Sequence, residues 1–200
     1  FYQPFNLITT TLGDDNRFGI SSMEQPATER SLRLGQDYYP LTLSANGRTR
    51  GELVFAGFGI DAPSLAHDDY RTGSVEGKLV MILDHEPGER NPESPFDGVV
   101  TSEFARTLRK VVTAQARGAL AVLFVSDVHN HPESTNFEAV AARTWPTASA
   151  RVSRYMLETW MNKVKIPVVQ ISPAIANDLL RVDGTNLNEL AKSAEASGGV

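Results

Sequence analysis

No cysteine occurs among the 200 residues. That excludes disulfides and thiol nucleophiles, and leaves the redox compartment open. The longest apolar run, Ala119–Val125, falls far short of the roughly 20 residues a helix needs to cross a bilayer. There is no basic run either. Nineteen Lys and Arg against 24 Asp and Glu give a net charge of −5, which argues against nucleic acid as a partner. No G-x-S-x-G turn is present to expose a serine, so a Ser/His/Asp triad has only its residue types in its favour. What remains is globular in character, with 41% hydrophobic and 22% charged residues, and enough chain for one domain, or one domain with a flanking piece. The first residue, Phe1, is not an initiator methionine, so the chain is expected to be cut from a longer one.

The stretch from Gly51 to Asp84 organises the rest. Leu53, Val54, Phe55 and Ala56 form a short apolar run of strand type, broken by Gly57-Phe58-Gly59 into a tight bend. The spacing of Gly57-Phe58-Gly59-Ile60-Asp61-Ala62 matches a dinucleotide fingerprint, but that motif needs a helix to open there. Pro63 and the missing apolar stripe over 61–70 speak against one. A second strand, Lys78–Leu83, ends at Asp84 and Pro87-Gly88. Phe58, between two glycines at a strand end, is hard to bury from both sides and is expected to stay accessible.

Helical period then takes over. Phe104, Leu108, Val111 and Val112 share one face of a helix over 103–117, with Ser102 as N-cap, Glu103 in the first turn, Arg117 in the last and Gly118 as the stop. Strand 119–125 follows, so 78–125 reads as a right-handed βαβ crossover with parallel strands. Residues 151–163 carry both periods and are left undecided. Pro167–Ile171 is a strand, Ser172-Pro173 opens a helix with Ile175, Leu179 and Leu180 inward, and Gly184 ends it. Asn186 with Glu189 opens a last helix burying Leu187, Leu190, Ala191 and Ala194, ahead of a fraying tail. Asn46-Gly47 is the strongest turn signal and marks the start of the compact part. Three segments result: a lead 1–48, a domain 49–184, and a C-terminal helix and linker 185–200.

Taken in order, GELVFAGFGI, DDYRTGSVEGKLVMIL, TLRKVVTAQARGALAVLFV and IPVVQISPAIANDLL resemble the protease-associated (PA) domain over roughly 50–182. More narrowly they resemble the PA insert of secreted zinc aminopeptidases of the aminopeptidase Y and glutamate carboxypeptidase-like group. The resemblance implies a mixed α+β fold with swivelling β/β/α layers, and a non-catalytic lid or docking module that meets peptide or protein substrates. It implies that FYQPFNL at 1–7 is a strand of the parent catalytic domain, without a partner in this chain. It implies an extracellular or periplasmic location, with zinc held by the parent catalytic domain rather than by this chain. The surfaces expected to face substrate or partner are Gly57, Phe58, Gly59, Ile60, His85 and Glu86.

Two constellations invite a metal. His67-Asp68-Asp69 has the H-x-D spacing of a zinc peptidase, but no two glutamates are adjacent anywhere, so a base beside a ligand is missing. His129 and His131 are two apart, with Asp127 and Glu133 near, and would share a face if extended. A polar Pro-flanked loop of this kind is ordinarily solvated, so they are the weaker candidates and no catalytic residue is assigned. Two rivals stand beside the PA reading. One is a PA-type sorting or receptor module of a non-peptidase. The other is a small stand-alone enzyme using the glycine bend or the histidine loop.

Overall fold

The computed structural model describes residues 2–21, 29–132, 136–147 and 154–197. Phe1, Glu133, Val152 and the tail 198–200 lie outside the described residues. In chain order the strands are β1 Leu7–Ile8, β2 Gly19–Ser21, β3 Glu29–Ser31, β4 Tyr38–Pro40, β5 Leu53–Phe55, β6 Asp61–Ala62, β7 His67–Asp68, β8 Leu79–Leu83, β9 Ala121–Val125, β10 Met156–Leu157 and β11 Val168–Ile171. The helices are α1 Thr107–Ala116, α2 Phe137–Thr144, α3 Glu158–Met161, α4 Pro173–Leu180 and α5 Leu187–Ser197.

A five-stranded mixed sheet in the order β4-β11-β9-β8-β5 carries the molecule. The chain is thus mixed α/β, as its sequence pattern predicts. β5, β8, β9 and β11 are mutually parallel, and β4 closes one edge antiparallel to β11. β8 and β9 are near-continuous apolar runs because both their faces are covered. On one face Val80, Ile82, Val122, Phe124 and Val168 pack with Val111 and Ala114 of α1. On the other, Met81, Leu83, Leu123, Val125 and Ile171 pack with Ile175 and Ala176 of α4 and Leu187, Ala191 and Ala194 of α5. The capping signals of the last two helices are realised. Ser172 accepts from the Ile175 N–H at 3.3 Å, and Asn186 Oδ1 from the Glu189 N–H at 3.0 Å.

Several expectations are corrected. α1 begins at Thr107 with Arg106 at its cap, not at Ser102: Ser102 is buried, donates its N–H and hydroxyl to the Glu86 carboxylate, and accepts from the Phe104 N–H at 3.1 Å in a turn that the helix does not continue. Glu103 pairs with Arg109 at 2.6 Å instead of sitting in a first turn. The lead has a partner within the chain. Leu7 and Ile8 pair with Leu157 and Met156 in the stretch the sequence left ambiguous, and Asn6 is bonded to Glu158 through side chain and backbone. The segment 1–48 also supplies β4 and the buried Leu32, Tyr38 and Tyr39, so it is not separate from the core. Asn46-Gly47 lies in an irregular link rather than a hairpin turn, since the strands on either side of it, β4 and β5, occupy opposite edges of the sheet.

Ile82, fully buried beneath the glycine bend, is the side chain on which this packing is most easily tested. Ile82→Ala should cost about 2–5 kcal/mol in urea denaturation, and Leu108→Ala, only half-buried, should cost less. Equal losses would mean that α1 packs through a different face.

Candidate functional site

In a parallel sheet every strand ends at the same edge, where loops can converge on a ligand. Here the carboxyl ends of β8, β9 and β11 deliver Asp84-His85-Glu86, Ser126-Asp127 and Ser172. A cleft of about 550 Å³ opens at this edge, lined among others by Tyr39, Asp84, His85, Arg90, His131 and Gln170.

Its floor is built from charges that have found partners. Lys110 of α1 is buried and donates to the carbonyl oxygens of Leu83, at 3.0 Å, and of His85. Burial lowers its pKa to about 8, against the pull of Asp84, Asp69, Glu86 and Asp127. Asp84 accepts from Gln170 Nε2 at 3.0 Å, and burial raises its carboxyl pKa despite nearby Lys110. Tyr39 packs against Phe137 with ring centroids 5.1 Å apart and the planes tilted by 48°, and burial, then Asp84, raises its hydroxyl pKa to about 12. Asp127 caps its own loop, accepting from the N–H groups of His129 at 3.0 Å and Asn130 at 3.3 Å.

At the rim, His85, Glu89 and His131 come together, and one potential ligand atom from each lies within 4.8 Å of the others. His85 Nδ1 is 3.1 Å from Glu89 Oε2, His131 Nε2 contacts Glu89 Oε1, and the two rings stack at 4.2 Å. Further ties hold the loops in register. Arg90 donates to the Asn130 carbonyl, and Glu195 of α5 accepts from the Gly88 N–H at 2.9 Å and from Asn130 Nδ2 at 3.2 Å.

The sequence-predicted site residues divide accordingly. Phe58, Ile60 and Glu86 are 0%, 2% and 1% exposed, so the reading that they face a partner is corrected. The reason is the closing of the bend on itself. Gly57 (φ 49°) sits against the Asp69 carboxylate, whose Oδ2 accepts from the Ile60 N–H at 2.9 Å. Gly59 (φ 67°) lies against Ile82, where a Cβ would fall 2.8 Å from the side chain. The bend leads into β6 rather than a helix, which removes the dinucleotide reading. His67 and Asp69 do not fit a peptidase zinc centre. They are 3% and 2% exposed, 3.1 Å apart, and His67 packs edge-on to Phe96.

Of the weaker pair, His131 joins the cluster and His129 does not, because the Asp127 turn replaces the extended backbone that would have aligned them. His85 belongs to the rim. Glu89 escaped sequence reasoning altogether. The available signal was the βαβ unit itself, which places the loops after β8 and β9 side by side.

No protein-family model and no curated protein matches the chain. Among solved structures it is similar to an aminopeptidase from Aneurinibacillus sp. strain AM-1, at 14% identity and a TM-score of 0.38. The match covers 90% of this chain and 31% of that one, so the chain spans about a third of that protein's length.

The depressed Lys110 pKa has a measurable consequence. Folded Lys110 releases its proton near pH 8 and the unfolded side chain near 10.5, so between these values the unfolded state holds more protons and rising pH favours folding. Relative to Lys110→Met, the parent chain should therefore gain stability from about pH 8 to 10.5, read as the difference between urea midpoints. A flat difference would place the ammonium in water.

Proposed function

We propose that the chain is a non-catalytic PA-type module of an exported zinc-dependent aminopeptidase, docking against the parent catalytic domain and helping to present peptide or protein substrates. The observation that carries this reading is the distribution of exposed apolar side chains. Of the nine large hydrophobics exposed among the described residues, Tyr2, Phe5, Leu7, Tyr155 and Trp160 all belong to β1, β10, α3 or the residues just before them. Tyr2 is 105% and Phe5 67% exposed. Aromatics gathered on one flap mark an interaction surface more readily than scattered ones do. Tyr2, Phe5 and Leu7 of the flap lie within residues 1–7, the stretch that the PA resemblance attributes to the parent catalytic domain.

The four blocks that carry the resemblance supply β5, β8, α1, β9, β11 and α4, four of the five strands of the main sheet with a helix from each face, which supports the same reading. Zinc for peptide hydrolysis would then come with the catalytic domain, together with the glutamate base that His67 and Asp69 lack. No membrane span is part of the proposal, and no helix among the described residues is long and apolar enough to cross a membrane.

Two measurements test the proposal. The chain, incubated with aminoacyl-nitroanilides and zinc, should show no turnover. Mixed with the catalytic domain encoded by the same gene, it should form a complex that Phe5→Ser with Trp160→Ser weakens about tenfold or more, the loss expected when interface aromatics are truncated. Turnover by the chain itself would promote the stand-alone enzyme, and an unaffected complex would move the interface away from the flap.

A further inference from the structure

We propose that His85, Glu89 and His131 form a binding site for a divalent first-row transition metal of the zinc class, bridging the loops that leave β8 and β9. Nothing in the docking role requires this site, and it stands on separate observations. It also departs from the sequence reading that the chain holds no zinc, because no spacing joins His85 and Glu89 to His131.

The donor set is two imidazoles and a carboxylate, with potential ligand atoms within 4.8 Å of one another. That combination suits zinc and its neighbours, whereas calcium and magnesium ask for more oxygens. Glu89 Oε1 and His131 Nε2 are buried atoms whose one polar neighbour is each other, with no further hydrogen bond to either among the described residues. A buried carboxylate oxygen and a buried ring nitrogen left to each other must share a positive charge, either the imidazole proton or a metal ion, and here a second imidazole, His85, completes a metal donor set. His85 is held at a φ of 64°, a left-handed conformation costly for a residue with a Cβ, while Lys110 fixes its carbonyl oxygen.

The ligands are anchored from behind. Glu195 links Gly88 to Asn130, Arg90 reaches the Asn130 carbonyl, and the His131 N–H donates to the Asp127 carbonyl at 3.0 Å. Such support keeps ligand atoms in place before the metal arrives. Three protein ligands leave a fourth position of a tetrahedron, and both histidines line the cleft, so water or a donor group of a bound molecule can enter there.

The test is calorimetric titration of the chelator-treated full chain with zinc chloride. One equivalent should bind. His85→Ala and His131→Ala should each weaken binding by more than about 100-fold, beyond what loss of an outer-shell partner costs. Glu89→Gln, which keeps the shape of this largely buried side chain but removes its charge, should weaken it by about tenfold or more. His129→Ala, outside the cluster, should leave it within about twofold, on the same outer-shell scale. Cobalt(II) absorption of the unmutated chain gives a readout independent of whether a variant folds, and tetrahedral nitrogen and oxygen coordination is expected. Absence of saturable zinc binding, or binding that survives in His85→Ala and His131→Ala, would overturn the proposal. So would loss of binding in His129→Ala alone.

Discussion

Five consecutive residue pairs, Leu79–Ala121 through Leu83–Val125, join β8 to β9 in parallel. Both strands are covered on both faces, so a slip of one residue would exchange the partners of every side chain across the sheet. Parallel pairing has a second effect, less about stability than about position. Both strands must end at the same edge, and the loops that follow, 84–98 and 126–132, therefore start as neighbours. β5 joins β8 by the same rule, and β11 joins β9.

That edge is expensive to build. Lys110, Glu86, Asp69 and Asp127 are all buried there, and an ion taken out of water without partners is heavily penalised. Each has a local bond: Lys110 to two carbonyl oxygens, Glu86 to Ser102, Asp69 through Oδ2 to the Ile60 N–H, with its Oδ1 left without one, and Asp127 to its own turn. The result is a stiff floor beneath a cleft whose rim carries His85, Glu89 and His131. Elsewhere the chain does the opposite. The β1–β10 flap leaves Tyr2, Phe5 and Trp160 in solvent, its two strands joined by a two-residue pairing and the Asn6–Glu158 bonds. A rigid polar edge and a lightly tethered apolar flap are separate features, which is why the docking role and the metal site are separate proposals.

The sequence by itself determined the elements whose signal is local. β8, α1 and β9 follow from apolar runs and a period change; Ser172-Pro173 and Asn186 with Glu189 announce α4 and α5 through caps that reach only three residues ahead. Tertiary structure alone decided the burial of Phe58 and Ile60, because the lid over them is Asp69, Tyr70 and Ile82 rather than anything adjacent. It decided the partner of β1, since two extended residues at 156–157 carry no periodicity to detect. It also decided which histidines meet. His129 and His131 look paired when spacing is counted along the chain. Backbone direction at the Asp127 turn separates them, and the parallel sheet brings His131 to His85 and Glu89 from a different loop. Periodicity and capping report on neighbours within a turn or two, whereas a site made where strands end depends on which strands lie side by side.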